Sequence, residues 1–226
     1  LRDTKVGLFL GSEETQEDDV LLPNKYVPKE FSIGDDLTVF VYLDHEERPV
    51  ATTLKPYVKL NEFAHLKVNY INKFGAFLDW GLEKDLFVPF KEQARPMEEG
   101  KRYLIYMHMD DKTNRLVASS RTNKYLSNEN LELEKNEEVD ILISHITEGG
   151  INCIINQKHK GLAYKNEVYD DVKPGMKTKG YIKNIRPDGK IDVMLRKVGV
   201  EAIEPSSKTI LDELKANRGF LRLTDN

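Results

Sequence analysis

Apolar residues recur at every second position along much of the chain. Ala64, Leu66, Val68 and Tyr70 alternate with polar neighbours, and so do Leu37, Val39, Val41 and Leu43, and Val139, Ile141 and Ile143. A period of two in β-branched and aromatic residues predicts strands with one buried face. The pattern occurs three times. Residues 19–56, 85–122 and 160–197 each hold a short apolar strand, a polar connector, a glycine, an alternating strand, a charged turn and a closing strand. The interval before the glycine is eleven residues in every copy, from Pro23 to Gly34, Pro89 to Gly100 and Tyr164 to Gly175. In the third copy Asp188 and Gly189 form a two-residue hairpin signal.

Further strands precede each stretch. The second copy has the alternating run at 64–70, a turn at Asn72 and Lys73, and an apolar run at 74–78. The third has 139–143 and then 151–155. The first shows only 6–10, so its opening strand is expected to be missing and its N-terminus trimmed. About five strands per copy, too few to hide the edges of an open sheet, predict closure into small barrels. The expected fold is mainly β, with three tandem five-stranded OB-type barrels. An SH3-like barrel is the structural alternative. The copies are expected at 1–58, 59–128 and 129–203. A final segment, 204–226, is expected to start a helix. Ser206 or Ser207 caps it, Ile210, Leu211 and Leu214 form its apolar side, and Gly219 ends it.

Composition narrows the function. No apolar run reaches the length of a membrane span, and no signal peptide is visible. A lone cysteine, Cys153, excludes an internal disulfide and fits a reducing cytoplasm; its apolar setting marks it as a core filler. Five scattered histidines offer no metal-ligand spacing, and no phosphate loop, nucleophile elbow or zincin signature is present. The expectation is a protein without metal, cofactor or catalytic site.

The net charge of −4 conceals a gradient. Residues 1–58 hold 6 basic and 12 acidic side chains, 59–127 hold 12 and 9, and 157–199 hold 11 and 5. A polyanion prefers the second and third copies.

In the second copy Phe74, Gly75, Ala76 and Phe77 are followed by the run 85–89 and by Asp111 and Arg115 at a spacing of four. These residues resemble the S-one RNA-binding domain, named after a ribosomal protein. The resemblance implies that Phe74 and Phe77 are the two aromatics offered to RNA bases, and that Asp111 and Arg115 are the family's acid–base pair. Val88 stands where the family usually has histidine. The first copy keeps Phe9, and Asp44 with Arg48. The third has Ile146 and Gly149 in place of the paired phenylalanines, Tyr164 at the histidine-like position, and Arg186 with Lys190 at the pair spacing. The order of modules is similar to the conserved virulence factor B family of bacteria with its YitL-like members. That resemblance implies tandem S-one domains, a C-terminal winged helix and a role in RNA-level gene regulation.

The implied partner is single-stranded RNA, with the ribosome or RNA-processing proteins as further partners. Binding residues are expected at Phe74, Phe77, Asp111, Lys112 and Arg115 in the second copy, and at Lys160, Tyr164, Lys183, Arg186 and Lys190 in the third. Gly75 is expected to permit a bulge or the close approach of an RNA backbone. The residues leave alternatives open. Strand aromatics are usually core, and Trp80, Phe87 and Phe90 are expected as packing or loop anchors. Asp111 with Arg115 also reads as a turn ion pair of small energetic weight. A scaffold docking on a ribosome or nuclease without RNA affinity is the other function class.

Overall fold

Short alternating runs separated by turns make strand the main regular structure of the described residues. The computed structural model describes residues 2–195 except 5, 13–14, 31–33, 45, 47 and 166–171. The helix expected at 204–226 lies outside the described residues. Among them, fifteen strands form three sheets. The first sheet holds β1 (Arg2–Thr4), β2 (Gly7–Ser12), β3 (Thr15–Pro23), β4 (Phe40–Leu43) and β5 (Pro49–Thr52). The second holds β6 (Phe63–Asn72), β7 (Gly75–Asp79), β8 (Leu86–Pro89), β9 (Arg102–Asp110) and β10 (Arg115–Ser119). The third holds β11 (Glu138–Thr147), β12 (Gly150–Ile155), β13 (His159–Ala163), β14 (Lys177–Ile185) and β15 (Ile191–Leu195). The chain divides into two compact units, 1–125 with the first two sheets and 126–226 with the third.

All three sheets share one cyclic strand order: first, second, third, fifth, fourth. In the first and third sheets the third and fifth strands pair in parallel, and the other pairs are antiparallel. This is the order of the OB barrel rather than of an SH3-like one. The third sheet closes through β14 on β11. The second is open between β8 and β10, and the first between β4 and β1. The opening strand expected to be missing from the first copy is present in short form as β1, paired with β2.

Two glycine positions hold each copy in shape. At the start of the second strand stand Gly7, Gly75 and Gly150. A Cβ there would collide with the carbonyl oxygens of Leu22, Val88 and Ala163 respectively, all on the third strand. Gly75 therefore permits the close approach of the neighbouring strand. Eleven residues after Pro23, Pro89 and Tyr164 stand Gly34, Gly100 and Gly175, with φ of 103°, 78° and 90°. This is left-handed backbone that glycine adopts without strain. The amides of Gly100 and Gly175 donate to Val68 and Ile143 on the first strands of their sheets, at 2.9 and 2.8 Å. In the second and third copies the glycine that ends the repeated interval is thus tied to the first strand.

The cores differ in size. The second sheet encloses Ala64, Leu66, Val68, Leu78, Trp80, Val88, Ile105 and Met107, and the third encloses Val139, Ile141, Ile143, Ile155, Ile182 and Val193. The first has a small centre, Leu22, Tyr26 and Ala51, with Leu37 and Val39 packed on it. The alternation expected through Val41 and Leu43 breaks there. Those two side chains are exposed, whereas Phe40 and Tyr42 pack on the second sheet's core. Phe40 meets the Trp80 ring edge-on at 5.8 Å, and the Tyr57 amide donates to the Trp80 carbonyl at 2.8 Å. The first sheet completes its burial on the second.

Cys153 is buried, and burial pushes its thiol up to about 12. Folded protein should therefore resist alkylation at pH 8 and react fully once denatured; labelling of the native protein would contradict this burial. Gly75→Ala should lower stability by about 2 kcal/mol through overpacking against Val88. Urea denaturation checks this, and an unchanged midpoint would contradict the close strand approach.

Candidate nucleic-acid interface

The alternation of Ala64, Leu66 and Val68 would carry Tyr70 into the core. A bulge prevents it. Val68 opposes Leu78, but Tyr70 opposes Phe77, so β6 gains one residue at Asn69. A bulge of this kind re-aims the side chains that follow. Tyr70 turns outward and its ring lies parallel to Phe77, with centroids 4.5 Å apart at 8°. Phe77 in turn opposes Phe87 on β8, at 4.9 Å and 36°. Three adjacent strands thus present a row of rings, Tyr70, Phe77 and Phe87, on the outer face of the second sheet. Phe74 stands in the turn before β7, 62% exposed, its amide donating to Asn72 Oδ1 at 2.8 Å. The Lys73 ammonium lies 5.1 Å from its ring.

The row borders an open cleft of about 1170 Å³ at the unclosed seam of the second sheet. Its walls are Leu86, Phe87 and Pro89 of β8, Arg115, Leu116 and Val117 of β10, and 40–44 of the first sheet. The structure therefore gathers Phe74, Phe77 and Arg115 in one place. Lys84 crosses the cleft to donate to the carbonyls of Leu43 and Asp44, at 3.3 and 3.1 Å. Asp111 and Lys112 are exposed in the β9–β10 turn. The acid opposite Arg115 in register is Asp110. A hydrogen bond from Thr113, and then Lys91, hold Asp110 below the usual carboxylate range.

Register corrects the motif alignment. Phe77 lies between Tyr70 and Phe87; the corresponding residue of the third sheet is Asn152, between His145 and Leu162. In the first sheet it is Phe9, between Arg2 and Leu21. Phe74, next to Gly75, therefore corresponds to Gly149, and Ile146 matches Ile71 rather than an aromatic. Val88 is wholly buried, so it is no counterpart of an exposed histidine. Tyr164 follows Ala163 as Pro89 follows Val88, and corresponds to Pro89. Phe87, expected as a packing residue, is half-buried and packs on Phe77 at one end of the row. Trp80 is packing as expected, with its indole N–H donating to the Lys84 carbonyl.

The residues spaced four apart do different work in each copy. In the first, Asp44 binds Arg48 in bidentate fashion at 2.7 and 3.0 Å and accepts the amides of Glu46 and Arg48. These bonds, led by the Arg48 amide, hold its carboxyl down to about 2. In the third, Arg186 and Lys190 occupy the same turn, but not as partners. Arg186 binds Asp192 at 2.7 and 2.9 Å and donates to the Tyr164 hydroxyl, while Lys190 pairs with Asp188 at 2.7 Å. Lys183 lies 5.8 Å from the Tyr164 ring, and Lys160 is exposed on β13.

Sequence reasoning missed Tyr70, Phe87, Phe40, Tyr42 and Lys84. The doubled polar pair Lys67 and Asn69 around Val68 carries no sign of a bulge, so nothing in the alternation distinguishes Tyr70 from a core residue. Phe63, Tyr106 and Tyr125 form a second aromatic group that buries Phe63 completely, and is packing. Among the described residues no cluster of three His, Cys, Asp or Glu is placed to hold a metal, and no helix is long and apolar enough to cross a membrane.

Residues 1–54 match the S1 domain. The match falls on the acidic first copy rather than on the second, where the aromatic motif lies. Over 98% of its length the chain is 25% identical to the uncharacterized protein YitL of Bacillus subtilis (strain 168), covering 76% of that protein. A solved multidomain protein with nucleic acid binding domains from Streptococcus pneumoniae TIGR4 aligns over 99% of this chain and 80% of its own, at a TM-score of 0.44 and 17% identity. The chain thus combines three sheets in OB order with a match to the S1 domain over its first 54 residues and a similarity to YitL along nearly its whole length.

Proposed function

We propose that this chain binds single-stranded RNA and acts as a bacterial regulator of gene expression at the RNA level. The observation that carries the reading is the row Tyr70, Phe77, Phe87, with Phe74 beside it. These rings lie outside the core cluster of their sheet, and Tyr70 and Phe74 are exposed. Leaving large apolar rings in water has no stabilising value to the fold. It has value to a ligand with flat faces. Unpaired RNA offers splayed bases, and each base stacked on an aromatic ring is worth roughly 1–3 kcal/mol.

Cations lie at the margins of the row. Lys73 stands over Phe74, and Arg115 lines the adjoining cleft. In this reading they take backbone phosphates, with Lys112 in the neighbouring turn, while Asp111 moderates the charge of that turn. The third copy, with Asn152 where the second has Phe77, binds by charge instead. Asp192 fixes Arg186, Arg186 fixes the Tyr164 hydroxyl, and Lys183 and Lys160 reach phosphates around this frame, with Lys190 at the turn. The acidic first copy takes no part in phosphate binding. The ribosome or an RNA-processing enzyme is the larger setting.

The test is fluorescence anisotropy with a uridine strand of about twelve nucleotides. Tyr70→Ala and Phe74→Ala should each weaken binding by about five- to hundredfold. Arg115→Ala should weaken it and flatten its dependence on salt. Loss confined to Lys183→Ala and Lys190→Ala would move the site to the third copy. Absence of binding at low salt would overturn the reading in favour of protein docking.

A further inference from the structure

The cleft beside the ring row holds more acidic than basic side chains. Its charged lining is Asp44, Glu83 and Asp85 against Lys84 and Arg115. Asp44 is committed to Arg48, and Lys84 to two carbonyls of the first sheet. Asp85 is different. Its Oδ1 accepts from Asn69 Nδ2 at 2.9 Å, and among the described residues it has no cation partner. Burial, with Asp79 nearby, raises its carboxyl above the usual range. Such a carboxylate is partly desolvated, keeps most of its acceptor sites unused, and favours a neutral donor from a ligand.

Its position is as informative as its chemistry. Asp85 stands immediately before β8, two residues ahead of Phe87, and both line the cleft. Asn69, which steadies it, is the bulge residue that aims Tyr70. In the stacking reading proposed above, a base stacked at the end of the row turns its edge toward Asp85. Guanine presents two adjacent donors there, N1–H and the N2 amino group. Adenine and cytosine present one amino donor each. Uracil flanks its single N–H with two carbonyl oxygens, which a carboxylate repels.

We propose that Asp85 makes this cleft a guanine-reading pocket within the RNA strand. The inference rests on the stacking site proposed above. It adds a preference for one base to a platform that by itself accepts any.

The experiment compares the uridine strand with the same strand carrying one central guanosine, adenosine or cytidine. Wild-type protein should bind the guanosine strand about tenfold tighter than uridine alone, as expected of a bidentate base contact, with the other two in between. Asp85→Asn should reduce the guanosine-to-uridine ratio to about one, and Asp85→Ala should do the same without offering an amide. The ratio is the readout because removing a negative charge strengthens all strands together. Equal wild-type affinity for all four strands overturns the pocket and leaves the stacking site standing. A ratio that survives both substitutions overturns the role of Asp85. Failure of every strand to bind overturns the RNA reading itself, and the pocket with it.

Discussion

The three sheets depend on one close contact, between the residue opening the second strand and a backbone carbonyl near the end of the third. Gly7, Gly75 and Gly150 meet Leu22, Val88 and Ala163 there, in a space that no Cβ fits. The contact fixes which residues face each other across the second and third strands. It places Phe77 against Phe87 and Asn152 against Leu162. With that register set, Gly100 and Gly175 tie the chain back to the first strands of the second and third sheets. The scaffold is common to the copies, so their functions separate according to the side chains at the fixed positions.

The second copy gains its ring row from two features acting together. The bulge at Asn69 brings Tyr70 onto Phe77, and the pairing of β7 with β8 sets Phe87 on the other side of Phe77. The third sheet has the corresponding shift in β11, between Ile143 and His145, but it is closed and carries Asn152 and Leu162 where rings would be needed. Polar replacement removes a platform and leaves a lysine-rich surface around a fixed Arg186. The first sheet spends its aromatics differently. Phe40 and Tyr42 leave their own small core to pack by Trp80, and so form a wall of the cleft.

Much of this architecture was legible in the chain. Alternation, the repeated interval ending at Gly34, Gly100 and Gly175, and five strands per copy are enough to expect OB barrels. Phe74, Phe77 and Arg115 were also legible, and the structure gathers them in one cleft. What failed was the phase of alternation. At Asn69 an added residue reverses it, so Tyr70 reads as core and is exposed. At Phe40 the strand begins late and packs on a different sheet, so Val41 and Leu43 read as core and are exposed. Both depend on pairing with distant chain segments, and no local pattern encodes that. The spacing of four misled for a related reason. It marks a hairpin turn in every copy, and only the surrounding residues decide whether its members pair with each other, as Asp44 and Arg48 do, or with Asp192 and Asp188.

The central claim is that bases stack on the outer face of the second sheet. Photocrosslinking of a 5-iodouridine strand to the full chain, followed by mass spectrometry of the peptides, tests it most directly. The account predicts crosslinks at Tyr70, Phe74, Phe77 or Phe87, all suppressed by unlabelled strand. Crosslinks confined to residues 1–54 or 129–195, with none in 63–89, would contradict it.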